Sequence, residues 1–283
     1  MDKMSAYQLA VIGGGPGGYV AAIRASQRGL KTCLIEKEKL GGVCLNKGCI
    51  PTKTLIHSAH VLDLIRRAEE FGISVGGDVR PELDKLMARK QKVVEGLVKG
   101  VASLLKSNRV DVFEGQARLA GGGRIIVKNA AGGEETVEAE KIIIATGSRP
   151  AQLPSLPMDG RSVLSSDDAL ELTELPGEML IVGAGVIGCE MACLFSTLGV
   201  KITMVEFLPR SLPTEDEEIA RLMERELKKK KINLILEDSV KSVRLEPGGR
   251  VTAVLGKGGE ITVDKILVSV GRAFNVEGLG LEE

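Results

Sequence analysis

The chain alternates between short apolar runs and longer stretches whose apolar positions recur every three or four residues, and glycines mark most of the changes. Residues 8–12 read as a buried strand, Gly13-Gly14-Gly15-Pro16-Gly17-Gly18 interrupts, and 19–28 continues at helical period. Residues 32–36 form a second strand that ends on Glu36. Leu55, Ile56, Ala59, Leu62, Ala68 and Phe71 share one helical face, and Gly72 is a plausible stop. Pro81 opens a longer helix with an apolar stripe from Leu83 to Leu105, which reads as core or as an interface between helices. Strand patterns follow over 110–119, 124–128 and 136–138, with a turn at 129–133. A buried strand over 141–145 leads to Thr146-Gly147-Ser148-Arg149-Pro150.

The opening pattern then recurs. Pro150, Pro154 and Pro157 mark a linker, and 167–172 suits a short helix. A strand over 180–182 runs into Gly183, Gly185 and Gly188, then a helix over 189–198 and a strand over 201–206 ending on Glu206. Thr214 is placed to cap a helix with an acidic first turn (215–218) and a basic last turn (228–231), an order that complements the helix dipole. Its lysine run therefore reads as a solvated helix end. Short strands follow, with turns at 247–249 and 256–259, and 266–270 leads to Gly271-Arg272.

Strand, glycines, helix, strand and acid together form a dinucleotide fingerprint. The first glycine permits a tight turn, the second admits a pyrophosphate, the third lets helix pack on strand, and the acid suits a ribose hydroxyl. The fingerprint occurs twice, with Glu36 and with Glu206. Glu206 favours NAD over NADP, because a carboxylate repels a 2′-phosphate and no Arg follows it directly.

Between the first two strands and the first long helix lies Gly-Gly-Val-Cys-Leu-Asn-Lys-Gly-Cys-Ile-Pro-Thr-Lys, residues 41–53. Cys44 and Cys49 stand at or just before a helix start, where unpaired N–H groups stabilise a thiolate below the free value of about 8.5. A reversible redox pair needs such a thiolate. Two buried cysteines, or half of a metal site, are the alternatives; neither calls for the glycines and the proline, and no second Cys/His pair completes a metal set. Lys53 lies one turn beyond Cys49. Glu190 is either a surface carboxylate near a helix N-terminus or a partner for Lys53 across the domain cleft. Cys189 and Cys193, one turn apart, read as small core residues rather than a second redox pair. His57 and His60 read as exposed.

Composition narrows the picture. With 38 basic and 38 acidic residues the formal charge is zero, which argues against a nucleic-acid partner. Aromatics make up 2% with no Trp, so base-stacking platforms are not expected. No apolar run is long enough to span a membrane, and the first residues lack a signal peptide, so a reducing, cytoplasmic location is expected. Two dinucleotide sites and a dithiol are the parts of an electron relay, and a flavin suits the storage role between them.

These motifs (13–18 with Glu36, 41–53, 145–150, 183–190 with Glu206, 270–272) resemble the pyridine nucleotide-disulfide oxidoreductases, in particular the dihydrolipoamide dehydrogenase family. The resemblance spans nearly the whole chain but only the first part of the family's architecture. It implies an α/β fold of two Rossmann-like domains, each a parallel sheet with helices and an added antiparallel β-meander. The expected divisions are 1–149 for an FAD domain carrying the disulfide, 150–272 for an NAD domain, and 273–283 for a return segment. FAD contacts would come from Gly13, Gly15, Gly18, Glu36, Gly42 and Lys53, with backbone at Ala117, Thr146, Gly147 and Ser148. NAD contacts would come from Gly183, Gly185, Gly188, Glu206, Val240 and Gly271. Cys49 would be the charge-transfer thiolate beside the flavin, Cys44 would exchange with the substrate disulfide, and Lys53 paired with Glu190 would sit near the reactive flavin nitrogen.

Implied partners are a lipoyl-bearing protein or a small disulfide, in a 2-oxo acid dehydrogenase or glycine cleavage complex, and a second copy of the chain as homodimer. Val43 stands where the family often has Thr. The chain ends before the family's ribitol-holding Gly-Asp motif and the dimerisation domain with its His–Glu pair, so a fragment or a short relative is expected. Mercuric reductase has a similar cysteine stretch, but its usual NADPH is disfavoured by Glu206; glutathione reductase wants basic residues after the second loop, which are missing. A reading from another class is a nucleotide-binding module that completes no catalytic cycle.

Overall fold

The structure, a computed structural model, describes residues 5–282. Its elements are β1 (Ser5–Ile12), α1 (Pro16–Gln27), β2 (Thr32–Glu36), α2 (Gly42–Lys47), α3 (Cys49–Arg66), α4 (Leu83–Ser107), β3 (Asp111–Glu114), β4 (Gln116–Leu119), β5 (Arg124–Lys128), β6 (Glu134–Ile144) and β7 (Ser148–Pro150). Then come β8 (Val163–Leu164), α5 (Ser166–Ala169), β9 (Glu178–Val182), α6 (Val186–Thr197), β10 (Lys201–Val205), α7 (Glu217–Lys229), β11 (Asn233–Ile235), β12 (Val240–Leu245), β13 (Val251–Leu255), β14 (Glu260–Val263), β15 (Lys265–Val268) and β16 (Arg272–Phe274). Two compact units result: Met1–Ile50 with Lys92–Arg149 and Ala273–Glu283, and Pro51–Gln91 with Pro150–Arg272. Residues 51–91, grouped with the first domain on sequence grounds, thus count with the second unit. The core explains why: Leu55, Ala59 and Leu62 of α3 share a buried cluster with Met179, Ile181 and Phe195.

The first unit is a six-stranded sheet in the order β3-β2-β1-β6-β5-β4. β1 runs parallel to β2 and to β6, while β5 and β4 continue antiparallel as a meander. Four of the five residues of β2 are buried, as expected of a strand covered on both faces. Leu9, Val11 and Leu34 meet helix residues Leu45, Val94, Val101 and Leu105 on one face. Ala10, Ile35, Ile125 and Val127 form the core on the other face. The strands expected at 136–138 and 141–145 are one strand, β6. β5 pairs with it from Glu134 to Glu138, and β1 pairs with it on either side of Glu140, so the β1 ladder carries it through that polar stretch. The run expected over 110–119 is instead two strands, broken at Gly115, whose N–H donates to Glu36 O at 2.9 Å.

The second unit repeats the plan with one change. Its five-stranded sheet, β11-β10-β9-β15-β8, pairs in parallel, and its meander β12-β13-β14 is a separate antiparallel sheet. Met179 and Ile181 of β9 face one core cluster, Leu180 and Val182 the other. Asp216, not Thr214, caps α7: its side chain accepts from Glu218 N at 2.8 Å. Thr214 lies too early and spends its hydroxyl on Glu215. Among the described residues no helix is long and apolar enough to cross a membrane.

Candidate functional site

The two glycine loops are built alike. Gly13 and Gly183 take positive φ of 109° and 100°, and their N–H groups donate to Ile35 O and Val205 O, each at 2.8 Å. A Cβ on Gly13 would collide with Ala145 O; one on Gly183 would lie 2.6 Å from Ser269 O. Gly18 and Gly188 each sit against the carbonyl of the loop's first glycine. Gly15 and Gly185 are N-caps of α1 and α6 in extended conformation, and a Cβ at Gly185 would meet nothing within 4 Å. Open space over a helix N-terminus is what a pyrophosphate requires, since backbone N–H groups and the dipole both favour an anion there.

Each loop is tied to its acid. Glu36 accepts from Gly14 N at 2.6 Å and Glu38 N at 2.8 Å. Glu206 accepts from Ala184 N at 2.6 Å and Leu208 N at 2.9 Å. Beyond each acid, backbone joins the stretch leading to the meander: Gly115 N to Glu36 O, and Asp238 N to Glu206 O at 3.0 Å. That places Ala117 just past the first junction and Val240 just past the second. The amides of Gly14 and Ala184 were missed by the sequence reading. Laying the two fingerprints over each other would have found them, because the residue after the first glycine holds the same position in both.

Gly42 packs against the first loop: a Cβ there would lie 2.5 Å from the Cα of Gly15. The start of the cysteine stretch is thereby fixed to the nucleotide-type loop. Cys44 falls in α2, and Cys49 is the first residue of α3. Gly48 breaks the chain between the two helices, and the cysteines are bonded as a disulfide with Cα atoms 4.7 Å apart. Their spacing therefore brings the sulfurs together. In the second unit, Lys53 Nζ meets Glu190 Oε1 at 2.5 Å. The pair expected across a cleft thus lies within one unit. Gly147 has φ 71° and Gly271 φ 132°, each in the loop after the strand that backs its glycine loop.

The remaining cysteines are free thiols. Burial pushes Cys33 up to about 12, with Asp111 adding to the effect. Burial does the same for Cys189, and neighbouring Cys193 adds to it. Cys193 is also raised by burial. None is suited to thiolate chemistry near neutral pH.

Each unit carries a glycine loop tied to an acid, and the first also carries a disulfide at a helix start. Residues 7–283 match the profile of the pyridine nucleotide-disulphide oxidoreductases. The chain is 46% identical to a dihydrolipoyl dehydrogenase of Bacillus subtilis, over 98% of this chain and 60% of the relative. It is 41% identical to one from Trypanosoma brucei brucei, with the same two shares. Among solved structures, LpdA from Mycobacterium tuberculosis superposes with a TM-score of 0.89 at 29% identity, covering 97% of this chain and 61% of that one. A flavoprotein disulfide reductase from Escherichia coli, RclA as its Cu(II) complex, gives 0.83 at 30%, covering 99% and 59%. The chain belongs to the pyridine nucleotide-disulphide oxidoreductase family. It corresponds to that family's FAD- and NAD-binding module, and it spans about 60% of the length of the curated relatives it matches.

Proposed function

We propose that the chain passes two electrons between a dihydrolipoyl dithiol and NAD through the Cys44–Cys49 couple, with FAD in the first loop and NAD in the second. The observation that carries this reading is the disulfide opening α3 beside a glycine loop tied to an acid. The loops support this reading: Gly185 leaves the N-terminus of α6 open to a pyrophosphate, Gly15 caps α1 without a side chain, Glu36 ends β2, and Glu206 follows β10 directly, where a ribose would lie. A bound flavin would supply two-electron storage, exchanging hydride with a nicotinamide and an electron pair with a thiolate.

The chain's own part is thiol–disulfide exchange. A substrate thiolate attacks Cys44 Sγ, and the Cys44–Cys49 bond breaks with its electron pair going to Cys49 Sγ. The second substrate thiol, losing its proton, displaces Cys44 Sγ, which leaves a lipoyl disulfide and a reduced cysteine pair. Cys49 is the better leaving group because it opens α3, where helix N–H groups stabilise its thiolate. Lys53, one turn further on, is held by Glu190, so its cation keeps one position. A lipoyl-bearing protein of a 2-oxo acid dehydrogenase or glycine cleavage assembly is the partner this substrate implies. The three free thiols agree with a reducing, cytoplasmic location.

A second reading is a module that binds both nucleotides without completing the cycle. One experiment separates the two. The purified chain is loaded with FAD and treated anaerobically with NADH, and thiols are counted before and after. Two new thiols that vanish in Cys49→Ser, with turnover of lipoamide, support the relay. Bound flavin with no new thiols leaves the module.

A further inference from the structure

Arg149 makes four hydrogen bonds on one short segment of the first unit. Its Nη1 donates to Phe274 O at 2.9 Å, Asn275 Oδ1 at 3.2 Å and Glu277 Oε2 at 3.1 Å, and its Nη2 donates to Glu277 Oε1 at 2.8 Å. The fork on Glu277 holds that carboxyl down to about 2, so the pair stays charged through the physiological range. A guanidinium only donates, so Arg149 fixes which end of the Asn275 amide faces it. The other end then has one direction left. Asn275 Nδ2 donates to Thr146 O at 3.1 Å, and Asn275 N donates to Gly147 O at 3.0 Å. One residue thus reads two consecutive carbonyls.

Trans peptides put C=O and the following N–H on opposite sides. With the Thr146 and Gly147 carbonyls turned to Asn275, the Gly147 and Ser148 N–H groups point away from it. The loop concerned follows directly on Ala145, whose carbonyl backs Gly13. The far end of the segment is also fixed: Leu119 N donates to Leu279 O at 2.8 Å, and Leu279 is buried in the unit's core.

Stability alone does not account for this construction. Arg149 and Glu277 are 48% and 67% exposed, and pairs that wet contribute about 0–1 kcal/mol. Orientation is what the four bonds supply.

We propose that Arg149, Asn275 and Glu277 are positioning residues for the first nucleotide site, acting as a latch that holds peptides 146–148 in the orientation FAD requires. The proposal rests on the assignment of FAD to that site. None of the three touches the cofactor: Arg149 and Glu277 act through Asn275, and Asn275 acts through the loop.

The test uses the full chain. FAD affinity is read from flavin fluorescence on titration, the setting of the bound ring from visible circular dichroism, and NAD affinity serves as a control in the same molecule. Asn275→Ala and Arg149→Met should each raise the FAD dissociation constant about five- to fiftyfold, as loss of one to a few such bonds would. Both should alter the visible signal and leave NAD affinity within about twofold. Glu277→Gln, which keeps one acceptor, should cost less. Because Arg149 works through Asn275, the double variant should bind no worse than the weaker single one. Arg149→Lys, which keeps the charge without the fork, carries the test if Arg149→Met does not fold. Variants that bind FAD within about twofold of the parent, or a double variant whose losses simply add, overturn the latch and leave the site assignment standing. A parent chain that binds no FAD overturns the assignment and the latch with it.

Discussion

Cys44/Cys49 and Cys189/Cys193 are both closely spaced pairs on helical segments, and only the first is bonded. In the first pair the backbone is broken: Gly48 separates α2 from α3, and Cys49 opens the second helix. In the second pair both residues lie inside the uninterrupted α6. There Cys189 is buried, with Sγ donating to Ala184 O at 3.4 Å, and its thiol is pushed up to about 12. At neutral pH such a thiol stays protonated. Close spacing alone therefore does not bond two cysteines. The bonded pair stands where a helix is interrupted and a new one starts.

The sharpest way to break this contrast is substitution in each pair. Cys44→Ser or Cys49→Ser should lower lipoamide-dependent turnover by on the order of 10³-fold or more, as removal of an essential nucleophile does. Cys193→Ser should leave turnover within about twofold. Steady-state kinetics on FAD-loaded chain measures both, and equal losses in the two pairs would remove the distinction. The next effect concerns the cation placed after Cys49. Glu190→Gln or Lys53→Met should lower kcat/KM by about ten- to a hundredfold, the range of one positioned electrostatic contact. Stability should hardly change, because the Lys53 side chain is 56% exposed and such pairs contribute about 0–1 kcal/mol.

A smaller effect separates the pairs by pH. Cys33 and Cys189 have folded values raised from 9.0 to about 12. Above pH 9 the unfolded chain releases those protons and the folded chain keeps them, so stability falls as pH rises from about 9 towards 12. Each thiol contributes a slope of up to about 1.4 kcal/mol per pH unit. Denaturant melts of Cys189→Ala should show a flatter decline over that window; an unchanged slope would count against burial as the cause. The smallest effect is Cys193→Ser itself. This residue is only partly buried, so its denaturation midpoint should correspond to a change of no more than about 1 kcal/mol.

Much of this architecture is legible in the order of residues. The strands leading to Glu36 and Glu206, both glycine loops and the cysteine stretch are local patterns, and each stands where its pattern puts it, except that β10 stops at Val205, one residue short of Glu206. What escapes is set by partners distant in sequence. Glu140 and Lys141 look like the end of one strand and the start of another, yet β6 runs through them because β1 pairs with it on either side. Thr214 is a good capping residue, but the helix begins after Asp216. The grouping of 51–91 with the second unit depends on which core receives Leu55 and Ala59, and periodicity shows only that they share a face. Arg149 and Glu277 are far apart in the chain, and no short motif joins them.

The docking of Leu279 and Asn275 sets an order of events on the ribosome. The first unit takes its opening strand from the earliest residues and its closing contacts from 273–282. The residues of the second unit end at Arg272, so at about 5–20 residues per second they are all made before Asn275 and Leu279. The older part of the nascent chain must wait for the younger, with the place of Leu279 in its core still unfilled. A released chain truncated after 272 should therefore yield to protease in residues 92–149 while its second glycine loop is protected.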